Sequence, residues 1–148
     1  IFEATLDKVA LLATFIPLIS GTSGNSGTQA LAVAIRGIAT GDIGGKSKFK
    51  LVLRELSTGI IMGLVSGAIV VGIIFFWKGT LIVGLLVGAS ICCSIVVATL
   101  AGSFIPIIMH KLGVDPAVAS GPFITTLNDV TSIVIYLGLA TTFIGLIL

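Results

Sequence analysis

Residues 80–109, TLIVGLLVGASICCSIVVATLAGSFIPIIM, run for thirty positions without one charged side chain. A bilayer core about 30 Å thick is crossed by roughly 20 apolar residues in a helix, so this stretch decides the solvent in which the chain folds. Working outward, runs of comparable length occupy about 9–39, 56–77 and 117–148. Composition agrees: 56% of the 148 residues are hydrophobic, 9% are charged, and the mean hydropathy is +1.25, whereas about one quarter of a soluble domain is charged. The reading is a single all-α membrane domain over 1–148, a helical bundle of four long transmembrane helices. A spanning barrel would show alternating segments of about ten residues, and these runs are apolar on nearly every face.

The few charges report topology. Lys46, Lys48, Lys50 and Arg54 fall between the first and second runs, with Arg36 just upstream, while Lys78 stands alone between the second and third. Cytoplasmic loops carry the excess of Lys and Arg, which makes loop 40–54 cytoplasmic; loop 110–116, with His110, Lys111 and Asp115, is then on the same side, and both chain ends lie outside a cell membrane crossed several times. A chain that opens Ile1-Phe2-Glu3 without a signal peptide has no means of placing its own start outside, so at least one preceding helix is expected. The net charge of +2 is dispersed over loops rather than gathered on a face, which argues against a nucleic-acid partner; the loop lysines can touch anionic membrane lipid. Cys92 and Cys93, adjacent inside an apolar run, form neither a disulfide framework nor a metal-ligand set.

Two features interrupt the apolar pattern. In the first run, Gly21-Thr22-Ser23-Gly24-Asn25-Ser26-Gly27-Thr28-Gln29 separates Val9–Ser20 from the apolar residues resuming at Ala30. One straight helix from Val9 to Ala39 would reach about 46 Å, so this run must tilt or break, and the Gly-rich middle is the expected irregular point. Such backbone is tolerated at membrane depth where protein buries it or where it lines an aqueous cavity; a long loop outside the membrane is the alternative. Elsewhere Gly59, Gly63 and Gly67, and again Gly84 and Gly88, recur at spacing four, giving flat strips for close helix approach. Gly102 and Pro106 are expected to bend the third helix, and Asp115-Pro116 to cap and start the fourth.

The second interruption carries the chemistry. Pro122, Thr125, Thr126, Asn128, Asp129, Thr131 and Ser132 stand in the last apolar run, and Thr125, Asp129, Ser132 and Tyr136 share one helix face. A charged side chain at the bilayer centre costs about 2.5–3.5 kcal/mol on insertion scales, and no other run offers a buried Lys or Arg to offset it. Asp129 is therefore read as the single buried carboxylate and as the residue that meets a cation; structural bonding to nearby hydroxyls is the alternative. One acid per chain, doubled across a two-fold axis, gives a charge of −2, suited to a divalent ion. Mg²⁺ keeps its waters and needs only one or two carboxylates, whereas dehydrated Ca²⁺ needs six to eight oxygens.

At this point the sequence resembles a known family, the MgtE magnesium channels and transporters. The resemblance rests on Pro17 with Gly24-Asn25-Ser26-Gly27-Thr28-Gln29, on Arg36-Gly37-Ile38-Ala39-Thr40-Gly41-Asp42, on Leu112-Gly113-Val114-Asp115-Pro116-Ala117, and on Pro122 with Thr125-Thr126-Leu127-Asn128-Asp129-Val130-Thr131. These blocks stand in family order over nearly the whole chain. The resemblance implies a homodimer with five helices per subunit, of which this chain supplies the second to fifth, and a pore on the dimer axis between the Asn25 and Asp129 helices. It implies the ion at Asp129 and at the Thr125 carbonyl, a wall drawn from Asn25, Thr28, Gly121, Pro122, Thr126, Asn128 and Ser132, and cytoplasmic regulatory domains outside this chain. Some members carry Asn where Gly121 and Thr28 stand here. Mg²⁺ is the implied ion, with Mn²⁺ and Co²⁺ as alternatives.

Other functions compete. A sodium-coupled divalent-cation exchanger would fit the same residues, and a purely structural membrane subunit would carry no flux. Gly21-Thr22-Ser23-Gly24 matches the Gly-x-Ser-Gly signature of rhomboid-type intramembrane proteases, but a serine nucleophile needs a base in reach, and His110, the lone histidine, stands at the far end of its helix. The expectation is a transporter and no enzyme.

Overall fold

The computed structural model describes residues 10–41, 46–118, 121–143 and 145. Its elements are α1 (Ile16–Ala39), α2 (Lys46–Lys78), α3 (Leu81–Lys111), a 3₁₀ turn (Pro116–Val118) and α4 (Gly121–Thr142), with a helical turn over 10–13 ahead of α1. Among the described residues no strand occurs, as expected for an all-α membrane bundle. By length and composition α2, α3 and α4 can cross a membrane. α1 has 24 residues, enough for about 36 Å, but its middle is polar.

The first helix corrects an expectation. Its Gly-rich middle is continuous α-helix, and the break lies upstream at Thr14 and Phe15. Pro17 explains the place, since its ring would collide with the carbonyl four residues back and it donates no bond there. In hydrocarbon an open backbone group costs several kcal/mol, far more than the roughly 1 kcal/mol by which glycine disfavours a helix. The helix therefore persists through Gly21, Gly24 and Gly27.

Two other boundaries differ from expectation. Lys48, Lys50 and Arg54 lie on α2, which begins at Lys46, so most of the basic segment is helical extension rather than loop. At 33 residues, about 50 Å, α2 overreaches the hydrocarbon at its basic end. α3 runs unbroken through Pro106. Asp115 caps the 3₁₀ turn, its Oδ1 accepting the Ala117 N–H at 2.9 Å, while α4 starts only at Gly121.

α3 is the central helix: 56% of its most apolar stretch is buried, against 22% for α2 and 28% for α4. It packs on α2, α1 and α4, and α1 packs on α4. A short turn through Gly79 (φ +68°) joins α2 to α3, and the two run antiparallel on the glycine strips. A Cβ on Gly67 would stand 2.7 Å from the Gly88 carbonyl oxygen, one on Gly84 3.2 Å from that of Val71, and one on Gly63 3.0 Å from both the Cα and the oxygen of Cys92. Gly63→Leu thus has no space, and overpacking of this kind costs about 1–3 kcal/mol or more. We expect a melting temperature several degrees lower for that variant in detergent, with a reduced folded yield; an unchanged melting curve would show that the face can open without cost.

Two apolar clusters bracket the bundle. One gathers Ile19, Val87, Ile91, Ile95 and Tyr136, and the other Leu31 and Ile124 with Ile35, Ile105 and Met109. Between them, at the level of Asn128 and Ser132, lies a layer of buried polar groups that includes Ser23, Ser26 and Ser94. The outward face of α2 is different in kind, with Ile61, Leu64, Ile69 and Phe76 exposed, as suits a surface against lipid. Its last turn carries exposed Trp77, with Lys78 Nζ 5.7 Å from the ring centroid, an arrangement typical of the membrane–water interface.

Candidate ion-binding site

The polar layer opens to the surface at the seam of α1 and α4. The two helices run antiparallel, and the buried Tyr136 hydroxyl ties α4 to the helical turn just ahead of α1, donating to the Leu12 carbonyl at 2.7 Å. Two turns back along α4, Asp129 faces α1, and its Oδ1 accepts the Ser20 hydroxyl at 2.5 Å. One turn further, Thr125 meets Gly24: a Cβ there would sit 3.2 Å from Thr125 Cγ2 and 3.6 Å from Asp129 Oδ1. The absence of a side chain at Gly24 lets the backbone of α1 lie beside the carboxylate.

The expected site residues separate into two groups. Asn25, Pro122 and Thr126 are exposed, and Thr28, Gly121, Thr125 and Asp129 are half-buried, so these seven reach the surface of the chain. Asn128 and Ser132 do not: they are 2% and 1% exposed and point into the bundle. The physical reason is helical phase. Positions 124, 128, 132 and 136 form the inward row of α4, which sets Asn128 and Ser132 apart from the accessible residues. Asn128 packs so tightly on α1 that a Cβ on Gly27 would overlap its Nδ2; that amide nitrogen and Ser94 Oγ are buried with no hydrogen-bond partner.

Most hydroxyls in the layer bond their own helices. Thr125 donates to the Gly121 carbonyl, Thr126 to Pro122, Thr28 to Asn25 and Ser132 to Asp129. Ser23, the nucleophile a protease would need, is fully buried and donates to the Ser20 carbonyl. Among the described residues no three His, Cys, Asp or Glu side chains gather into a ligand set. One chain thus offers a carboxylate, carbonyls and an amide, a donor set that suits a cation keeping its water shell.

The expectation of a single buried carboxylate is also corrected. Glu55 is 6% exposed, because the extension of α2 carries it onto the face that packs against α3. Sequence reading did not single it out, and only its place one turn before Gly59, on the same strip, signalled its burial. An apolar cavity of about 280 Å³, lined by Ile82, Leu85, Leu86, Ala89, Leu139 and Phe143, lies toward the other end of α4 from Thr125 and holds none of the polar residues.

A helical membrane bundle with a carboxylate seated between two small-residue helices has the form of an ion-transport protein. Comparison with known proteins makes this specific. Residues 16–139 match the family model MgtE, described as divalent cation transporter. The chain is 46% identical over 143 residues to the magnesium transporter MgtE of Bacillus subtilis, covering 97% of this chain and 32% of that protein. It is 47% identical over 142 residues to that of Enterococcus faecalis (96% and 31%) and 37% identical over 139 residues to that of Thermus thermophilus (94% and 31%). The chain belongs to the MgtE family of divalent cation transporters, which places it among transport proteins rather than enzymes. It spans about a third of the length of these curated relatives.

Proposed function

We propose that this chain is the membrane part of a magnesium transporter and passes Mg²⁺ across a cell membrane through a pore on a homodimer axis. The relatives, each named a magnesium transporter, support the choice of ion. The observation that carries the reading is the half-buried Asp129 at the α1–α4 seam, on helices that also expose Asn25, Pro122 and Thr126. A two-fold partner brings a second Asp129, and the pair balances one divalent ion. Because Mg²⁺ gives up its waters reluctantly, the carboxylates, the Thr125 carbonyl and the Asn25 amide act on those waters. Mn²⁺ and Co²⁺ compete to the extent that their hydrated size allows. The basic end of α2, with Lys48, Lys50 and Arg54, faces the cytoplasm, where regulatory domains outside this chain would join.

The test is Mg²⁺ flux into proteoliposomes carrying the intact protein, with and without a sodium gradient. Flux independent of the gradient supports the pore; flux that requires it transfers the same seam to an exchanger. Asn25→Leu supplies a second arm. Its exposed side chain contributes little to packing, so we expect flux to fall by about tenfold while the melting temperature stays within a degree or two, as for surface changes of about ±0.5 kcal/mol. A large drop in melting temperature would instead make Asn25 a structural amide.

A further inference from the structure

We propose that Ser20 is a positioning residue for the transported ion: its hydroxyl holds Oδ1 of Asp129 against α1 and thereby turns the other carboxylate oxygen toward the ion path. The inference rests on the reading of Asp129 as the ion's carboxylate. Five hydroxyls lie on α1, and four of them, on Thr22, Ser23, Ser26 and Thr28, donate to carbonyls of α1 itself. Ser20 alone donates to another helix, to a carboxylate 109 residues away in sequence, at 2.5 Å. That distance lies in the range of charge-assisted O–H···O⁻ bonds, which are about twice as strong as neutral ones.

The surroundings give this bond its consequence. An aspartate at a half-open seam has two side-chain torsions to settle, and a mobile carboxylate loses affinity for a hydrated ion because it must be ordered when the ion arrives. α1 is held against α4 here: Gly24 abuts Thr125 on one side of Ser20, and on the other Tyr136 anchors Leu12 in the helical turn just ahead of α1. The Ser20 hydroxyl is therefore presented from a fixed wall. With Oδ1 engaged, one oxygen stays free for the waters of Mg²⁺, and the site binds the ion in a single orientation of the carboxylate.

The experiment uses the intact protein in proteoliposomes and compares Ser20→Ala, Ser20→Thr and Asp129→Asn. In Ser20→Ala the Mg²⁺ concentration for half-maximal flux should rise by about tenfold, matching loss of one charge-assisted bond, with maximal flux changed less than twofold. The Mg²⁺-induced rise in melting temperature should move to correspondingly higher Mg²⁺. Ser20→Thr keeps the hydroxyl on a half-exposed position and should restore both readings. A half-saturating concentration that is unchanged or lower in Ser20→Ala, or a threonine variant as impaired as alanine, overturns the proposal while leaving the Asp129 reading intact. Retention of normal Mg²⁺ dependence in Asp129→Asn overturns both.

Discussion

With the two-fold pairing proposed above, Asp129→Asn should abolish most Mg²⁺ flux while leaving the proposed dimer at least as stable as the unmodified protein when no Mg²⁺ is present. The substitution preserves shape and removes both charges of the pair. If the two carboxylates stand about 8 Å apart in an environment of effective dielectric near 20, their repulsion is about 2 kcal/mol, and the variant is relieved of it. The Ser20 hydroxyl can still donate to the amide oxygen, so the seam keeps its bond. The divalent ion loses its counter-charge. An ion that binds only the folded protein stabilises it by mass action, about 2.7 kcal/mol at one hundred times its dissociation constant, so the melting temperature of the unmodified protein should climb with Mg²⁺ by several degrees. The Asn variant should show a flat line. Asp129→Glu, which narrows the site by about a methylene from each side, should give weak binding with altered selectivity. Equal stabilisation by Mg²⁺ and equal flux in wild type and Asp129→Asn would remove Asp129 from the ion path.

The sequence made the helices legible because a bilayer leaves few alternatives. Runs as apolar as 80–109 have nowhere else to go, and the four-residue glycine spacing announced the α2–α3 strip that the structure contains. Less legible was how far α2 extends. Lys48, Lys50, Arg54 and Glu55 look like a solvated loop when hydropathy is the guide, yet the backbone continues as helix beyond the hydrocarbon, and Glu55 turns inward as a result. The Gly-rich centre of α1 misled in the opposite direction, since rules learned in water overstate what glycine does inside a membrane. At the site, Asp129 stood out by its cost alone. Which neighbours line the surface with it depended on helical phase against partners that a single sequence does not locate: Asn128, next to Asp129 in the chain, points into the bundle. The partner of the carboxylate, Ser20, lay beyond sequence reading altogether, being one of five similar hydroxyls on α1.

Gly102→Ala should destabilise the bundle strongly, because the added methyl group meets backbone. A Cβ at Gly102 would overlap the Gly27 carbonyl oxygen and stand 3.0 Å from the carbon and 3.1 Å from Ala30 Cβ. The obstacle is backbone, with no rotamer to turn aside, so α1 must separate from α3 along its length. That separation reaches the site directly. Gly27 also cradles Asn128, and α1 carries Ser20 and Asn25, so the seam with α4 opens and the carboxylate loses its wall. Overpacking costs about 1–3 kcal/mol where side chains yield; here the upper end or beyond is expected, a shift of some 5–10 °C in melting temperature on the usual scaling for a chain of this size. Gly138→Ala is the control, since nothing lies within 4 Å of its Cβ position, and alanine is the better helix former. It should match or slightly exceed the unmodified protein in stability and flux. Melting curves and Mg²⁺ flux for the two variants, measured side by side, decide the matter: equal behaviour would mean that α1 and α3 are not in backbone contact at Gly27 and Gly102, and that the wall behind Asp129 is built elsewhere.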